Sequence, residues 1–167
     1  MAVAEAAERL AGRGDAPAVT LVCQTGTRDF DMVREAFQRS GVQGRVERFI
    51  DAMDREVADA GLIVSRAGAT TLAEIAAAGR PSILIPLPTA TDDHQRHNAE
   101  TLRAAGAAEV IEQQRLTGEL LATRIRALAA DKERRILMSG AARRLARPDA
   151  ADRIVDVVLR LAGRRAS

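Results

Sequence analysis

Apolar residues along this chain gather in short runs rich in Val and Ile, separated by longer stretches in which they recur every three or four positions. The runs cover 18–23, 45–50, 62–64, 82–87 and 108–111, and their length and β-branched content predict strands. Helical periodicity covers 3–11, 28–40, 52–60, 70–78 and 93–105, then 117–130, 132–146 and 149–162. Strands alternating with helices predict an α/β fold: a doubly wound parallel sheet covered on both faces, with a helical C-terminal end. Gly26, Gly41, Gly61, Gly79 and Gly106 fall at the joints between elements, where helices close and corners turn. Pro148 suits the first turn of the last helix. A doubly wound domain ordinarily begins with a strand and a loop that feed its first helix. Here the helical pattern at 3–11 comes first, so a strand and loop are expected upstream of it.

Composition narrows the class. At 167 residues the chain suits one domain, 1–167, with a proper core. Three Phe and no Tyr or Trp leave little for stacking bases, which weighs against single-stranded nucleic acid. The 25 basic residues, all Arg except Lys132, nearly balance 23 acidic ones. They are spread along the chain apart from an enrichment between Arg143 and Arg165. That enrichment reads as a solvated helix face rather than a lipid-binding patch, so no nucleic-acid partner is expected. Cys23 is alone, which excludes a disulfide framework and a Cys-based metal site and fits a reducing cytoplasm. Glu5, Glu8 and Arg9 interrupt the first ten residues, unlike a signal peptide. No apolar run approaches the ~20 residues that span a bilayer.

Candidate chemistry clusters after the predicted strands, where an open parallel sheet collects its ligands. Ser65-Arg66-Ala67-Gly68-Ala69 links a strand to a helix starting near Thr70. Small residues there let a ligand approach the backbone, and the helix start offers free N–H groups and a positive dipole end to a phosphate. Thr71-Leu72-Ala73-Glu74 also fits a capping box, with Thr as the cap and Glu folding back. The Glu74 carboxylate could instead accept hydrogen bonds from both hydroxyls of a ribose. In Asp92-Asp93-His94-Gln95-Arg96-His97-Asn98, the two His share a helix face but lack a third ligand of matching spacing, so no metal is expected. Gln95 and Asn98 also share a face, and neutral amides suit sugar hydroxyls. Ile50, at the end of another run, reads first as core, although its main chain could pair with the edge of a base. Ser65 lacks a Gly-x-Ser-x-Gly elbow, and no Gly-x-x-x-x-Gly-Lys loop is present.

Taken in order, Phe49-Ile50-Asp51, the run 65–81, Ile85-Pro86 and the run 93–99 resemble the C-terminal, donor-binding domain of the MurG family of peptidoglycan N-acetylglucosaminyltransferases, in glycosyltransferase family 28. The likeness covers 19–162. The resemblance implies a Rossmann-like domain, one half of a GT-B fold, with UDP-N-acetylglucosamine as substrate and no cofactor. Ile50 would meet the uracil through its main chain. Ala69, Thr70, Thr71, Leu72, Ala73 and Glu74 would hold the nucleotide, with Glu74 on the ribose. Gln95 would read sugar hydroxyls, and Arg66 would support the phosphates or base.

The family reaction moves N-acetylglucosamine to lipid I at the inner face of the plasma membrane, which implies a cytoplasmic protein with peripheral membrane association only. The family's Gly-Gly-Ser-x-Gly-Ala loop has no counterpart in this sequence, nor has the N-terminal acceptor domain expected to carry the catalytic base. The chain is therefore expected to be inactive alone. Two other readings remain open: a separate donor-binding subunit of a split transferase, and a non-catalytic UDP-sugar-binding module.

Overall fold

The computed structural model describes residues 2–11, 18–88 and 93–163. Asp92 and Arg165, named above, lie outside them. Five strands alternate with helices in the predicted order: α1 (Ala2–Leu10), β1 (Leu21–Gln24), α2 (Gly26–Ser40), β2 (Gly44–Glu47), α3 (Met53–Asp59), β3 (Ile63–Ser65), α4 (Ala69–Ala78), β4 (Ser82–Leu84), α5 (His94–Ala104) and β5 (Ala108–Val110). A short 3-10 turn (Gln113–Arg115) leads to α6 (Gly118–Ala130), α7 (Lys132–Leu145) and α8 (Ala150–Leu161). The last helix starts after an Asp149 cap, so Pro148 precedes it instead of entering its first turn. Except for β3, the strands are shorter than their apolar runs. Ile85, beyond β4, still donates its N–H to Ser65, but Pro86 has no N–H to extend the ladder.

All pairings are parallel. Hydrogen bonding divides the strands into two sheets, β1-β2 and β3-β4-β5. Helices cover both faces, as double winding requires. On one face Leu10 of α1, Val33 and Phe37 of α2, and Leu121, Ile125 and Leu128 of α6 form a core with Ile83 and Ile85. Leu21 and Cys23 of β1, Val46 of β2 and Leu62 pack against it, so one core bridges the two sheets. On the other face Leu72 and Ile75 of α4 and Ala99 and Leu102 of α5 pack with Leu84, Ile63 and Val110. Helix α7 serves both clusters, through Met138 on one and Ala141 and Ala142 on the other.

The interruption falls between β1 and β3, where the direction of winding reverses. Burial marks it: every residue of β4 is buried, yet Val22 is 40% exposed and Val64 is 37% exposed. Neither β1 nor β3 has a strand on its second edge among the described residues.

Close approach requires glycine at Gly44 and at Gly79 among others. Gly44 pairs with Leu21 at φ 144°, and a Cβ there would stand 1.9 Å from the Leu21 carbonyl oxygen. Gly79 closes α4 in the left-handed region at φ 62°, with the Arg143 side chain where a Cβ would go.

Helix α1 is tied to α6 by more than apolar packing. Glu5 accepts a hydrogen bond from the Gly118 N–H at 3.0 Å, satisfying a free donor at the start of α6. The Thr117 side chain caps the same terminus through Leu120 N–H at 3.1 Å. Farther along α6, the Arg126 guanidinium donates to the Arg9 carbonyl.

Candidate functional site

The candidate residues follow the carboxyl ends of β2, β3 and β4 or lie in the first turns of the helices α4 and α5. Gly68 is the N-cap of α4, in extended conformation at φ −67°, ψ 143°, with no side-chain cap. The helix therefore starts at Ala69, and the first intrahelical bond runs from Leu72 N–H to the Gly68 carbonyl at 3.0 Å. Thr71 sits inside the helix, so the expected Thr71–Glu74 capping box does not form. The turn preceding the helix is fixed instead by the fully buried Ala67, whose carbonyl accepts from Asn98 Nδ2 at 3.2 Å.

This shift changes the chemistry of the terminus. Without a side-chain cap, the N–H groups of Ala69, Thr70 and Thr71 have no intrahelical acceptor. Ala69, Thr70, Ala73 and Glu74 are exposed and Thr71 is half-buried. Leu72 differs from its neighbours: its side chain is buried in the core and its N–H is already bonded, so it anchors the helix. Glu74, released from capping, makes no hydrogen bond or ion pair with any described residue. An uncapped helix start attracts anions, through its N–H groups and the helix dipole. One turn on, Glu74 presents a free acceptor.

The remaining candidates surround that terminus. Arg66, just beyond β3, donates through Nη1 to the Ile85 carbonyl at 3.1 Å and to Gln113 Oε1, so its guanidinium spans from β3 across the end of β4 to the turn after β5. Gln113 was not visible as a candidate in the sequence, where it is one polar residue in the run Glu112-Gln113-Gln114-Arg115. Gln95, half-buried in the first turn of α5, accepts through Oε1 from Leu87 N–H at 3.0 Å. Its amide nitrogen remains as a donor. Asn98, on the same face of α5, serves the structure through its bond to Ala67.

Ile50 lies three residues beyond β2, and its N–H donates to Gln24 Oε1 at 2.8 Å. Sequence reasoning missed Gln24, whose only signal is a polar residue closing an apolar strand before Thr25-Gly26. Phe49 is 70% exposed beside it. Arg48 stacks on Phe30, its guanidinium carbon 3.9 Å from the ring centroid, and so fixes the segment leading to Ile50. His94 and His97 are exposed on α5, and no group of three or more His, Cys, Asp or Glu able to hold a metal occurs among the described residues.

Parallel strands alternating with helices on both faces, with an uncapped helix start after a strand end, define the class, a Rossmann-like nucleotide-binding type of domain. Residues 1–154 match the glycosyltransferase family 28 C-terminal domain, and the chain belongs to that family. The crystal structure of MurG from Acinetobacter baumannii superposes with a TM-score of 0.82 at 30% identity, covering 96% of this chain and 49% of that one.

Relatives carry the name UDP-N-acetylglucosamine–N-acetylmuramyl-(pentapeptide) pyrophosphoryl-undecaprenol N-acetylglucosamine transferase. The one from Anaeromyxobacter sp. (strain Fw109-5) is 48% identical over 165 residues, 99% of this chain and 43% of the relative. The one from Geobacter metallireducens is 51% identical over 136 residues, 81% of this chain and 37% of the relative. The chain thus spans less than half the length of these transferases.

Proposed function

We propose that this chain is the donor-binding half of an inverting N-acetylglucosaminyltransferase of MurG type, taking UDP-N-acetylglucosamine as donor and lipid I as acceptor in peptidoglycan synthesis. The observation that carries the reading is the α4 terminus: a start without a side-chain cap, followed one turn later by an exposed carboxylate. A diphosphate fits the N–H groups of Ala69, Thr70 and Thr71, and a ribose placed beside it brings its two hydroxyls to Glu74. The uracil then meets the main chain of Ile50, and the sugar meets the amide of Gln95. Arg66 supports this arrangement from the adjoining strand end, braced by Ile85 and Gln113.

In the transfer, negative charge develops on the departing UDP. The α4 N–H groups and dipole are already oriented toward that charge and need no reorganisation as it forms, so no metal ion is required in this reading. Acceptor and base come from the other half of the transferase, which works at the cytoplasmic membrane face. No helix among the described residues is long and apolar enough to cross a membrane.

Calorimetry with UDP-N-acetylglucosamine tests the proposal. Saturable one-to-one binding, competed by UDP and unaffected by chelators, is the expected result. Turnover is expected only when an acceptor half is supplied. A chain that folds but binds neither UDP-N-acetylglucosamine nor UDP refutes the donor-site reading.

A further inference from the structure

We infer that Gln24 caps the base-binding edge of the site and has to be displaced when a uridine nucleotide enters. The inference rests on the nucleotide reading proposed above. Beyond β1 and β2 the two chain segments remain joined, through Thr25 N–H to the Glu47 carbonyl at 3.0 Å and Gly26 N–H to the Arg48 carbonyl at 3.1 Å. Those rungs are main chain to main chain and cannot open without separating the strands. The next one is different in kind: the Ile50 N–H is met by the side chain of Gln24 at 2.8 Å.

A side-chain rung can be released by rotation about the χ angles of Gln24 alone, a motion of picoseconds to nanoseconds for an exposed residue. The Gln24 carboxamide also resembles the base it would exclude. It places a carbonyl acceptor beside an N–H donor, the same pattern that a uracil ring presents at its dione edge. The side chain therefore satisfies the Ile50 N–H in the empty site and competes for it with the base. Gln24 acts through Ile50 and is in this sense a positioning residue, one that lowers the affinity for uridine nucleotides and leaves the phosphate cradle unaffected.

Gln24→Ala removes the competitor, and Gln24→Met removes the acceptor while keeping the bulk. Both variants are expected to bind UDP more tightly than the wild type, by about 3- to 10-fold, the range for one neutral hydrogen bond no longer displaced. Inorganic pyrophosphate, which has no base, should bind all three proteins alike. An independent readout is amide hydrogen exchange at Ile50: slow in the free wild type, faster in both free variants, and slow again in all three with UDP bound. UDP affinity that is unchanged or weaker in both variants overturns the inference while leaving the donor site intact, and so does Ile50 exchange that is indifferent to the substitutions. Failure of UDP to bind any of the three overturns both readings.

Discussion

Adjacent residues on α4 separate stability from binding. Ile75 is wholly buried against the sheet, whereas Glu74 is exposed and touches no described polar group. Glu74→Ala is expected to leave the melting temperature nearly unchanged and to weaken UDP-N-acetylglucosamine binding by about 1–3 kcal/mol, the usual loss for a charged hydrogen-bond partner. Calorimetry and thermal melts on one preparation check both halves of that statement. Cys23 gives a second test. Burial beside the first core raises its thiol pKa above the ordinary value, because the thiolate is disfavoured away from water. The unfolded chain therefore loses this proton at a lower pH than the native one. The thiol's contribution to stability is fully present below the ordinary thiol range, about 8.5, and is lost as pH rises through it and beyond. Denaturant melts between neutral and alkaline pH should show that decline, and Cys23→Ala should reduce it.

Among the elements, helix α6 depends on a residue more than a hundred positions away. The Glu5 carboxylate is the acceptor for Gly118 N–H, and Gly118 is itself buried. Glu5→Ala leaves that donor without a partner and should cost about 1–3 kcal/mol in urea denaturation, while Glu5→Gln, which keeps an acceptor oxygen, should cost less. The order of elements was legible in the sequence because each has a clean local signal: β-branched runs for strands and a three-to-four spacing for helices. The start of α4 was not. Thr71-Leu72-Ala73-Glu74 has the composition of a capping box, but tertiary contacts at Ala67 and Asn98 fix an earlier start and leave Gly68 as the cap. The positions of Ile50, Arg66 and Gln95 follow from strand ends that the pattern already marked. Gln24 and Gln113 escaped notice because their partners, Ile50 and Arg66, are distant in sequence.

Over the whole molecule, cohesion is uneven. Helix α8 buries none of its residues, and its apolar side is open, with Leu161 84% exposed. Ending the chain at Arg147 should therefore change stability by less than about 1 kcal/mol, since little apolar area is lost, and thermal melts of the shortened chain check it. The joint between α1 and α6 also bears on synthesis. At about 5–20 residues per second, the ribosome needs roughly 6 to 24 s after completing α1 to deliver α6. Throughout that interval the nascent β1-β2 half lacks the helix that closes its core, which makes it the part of the newborn chain most in need of a chaperone.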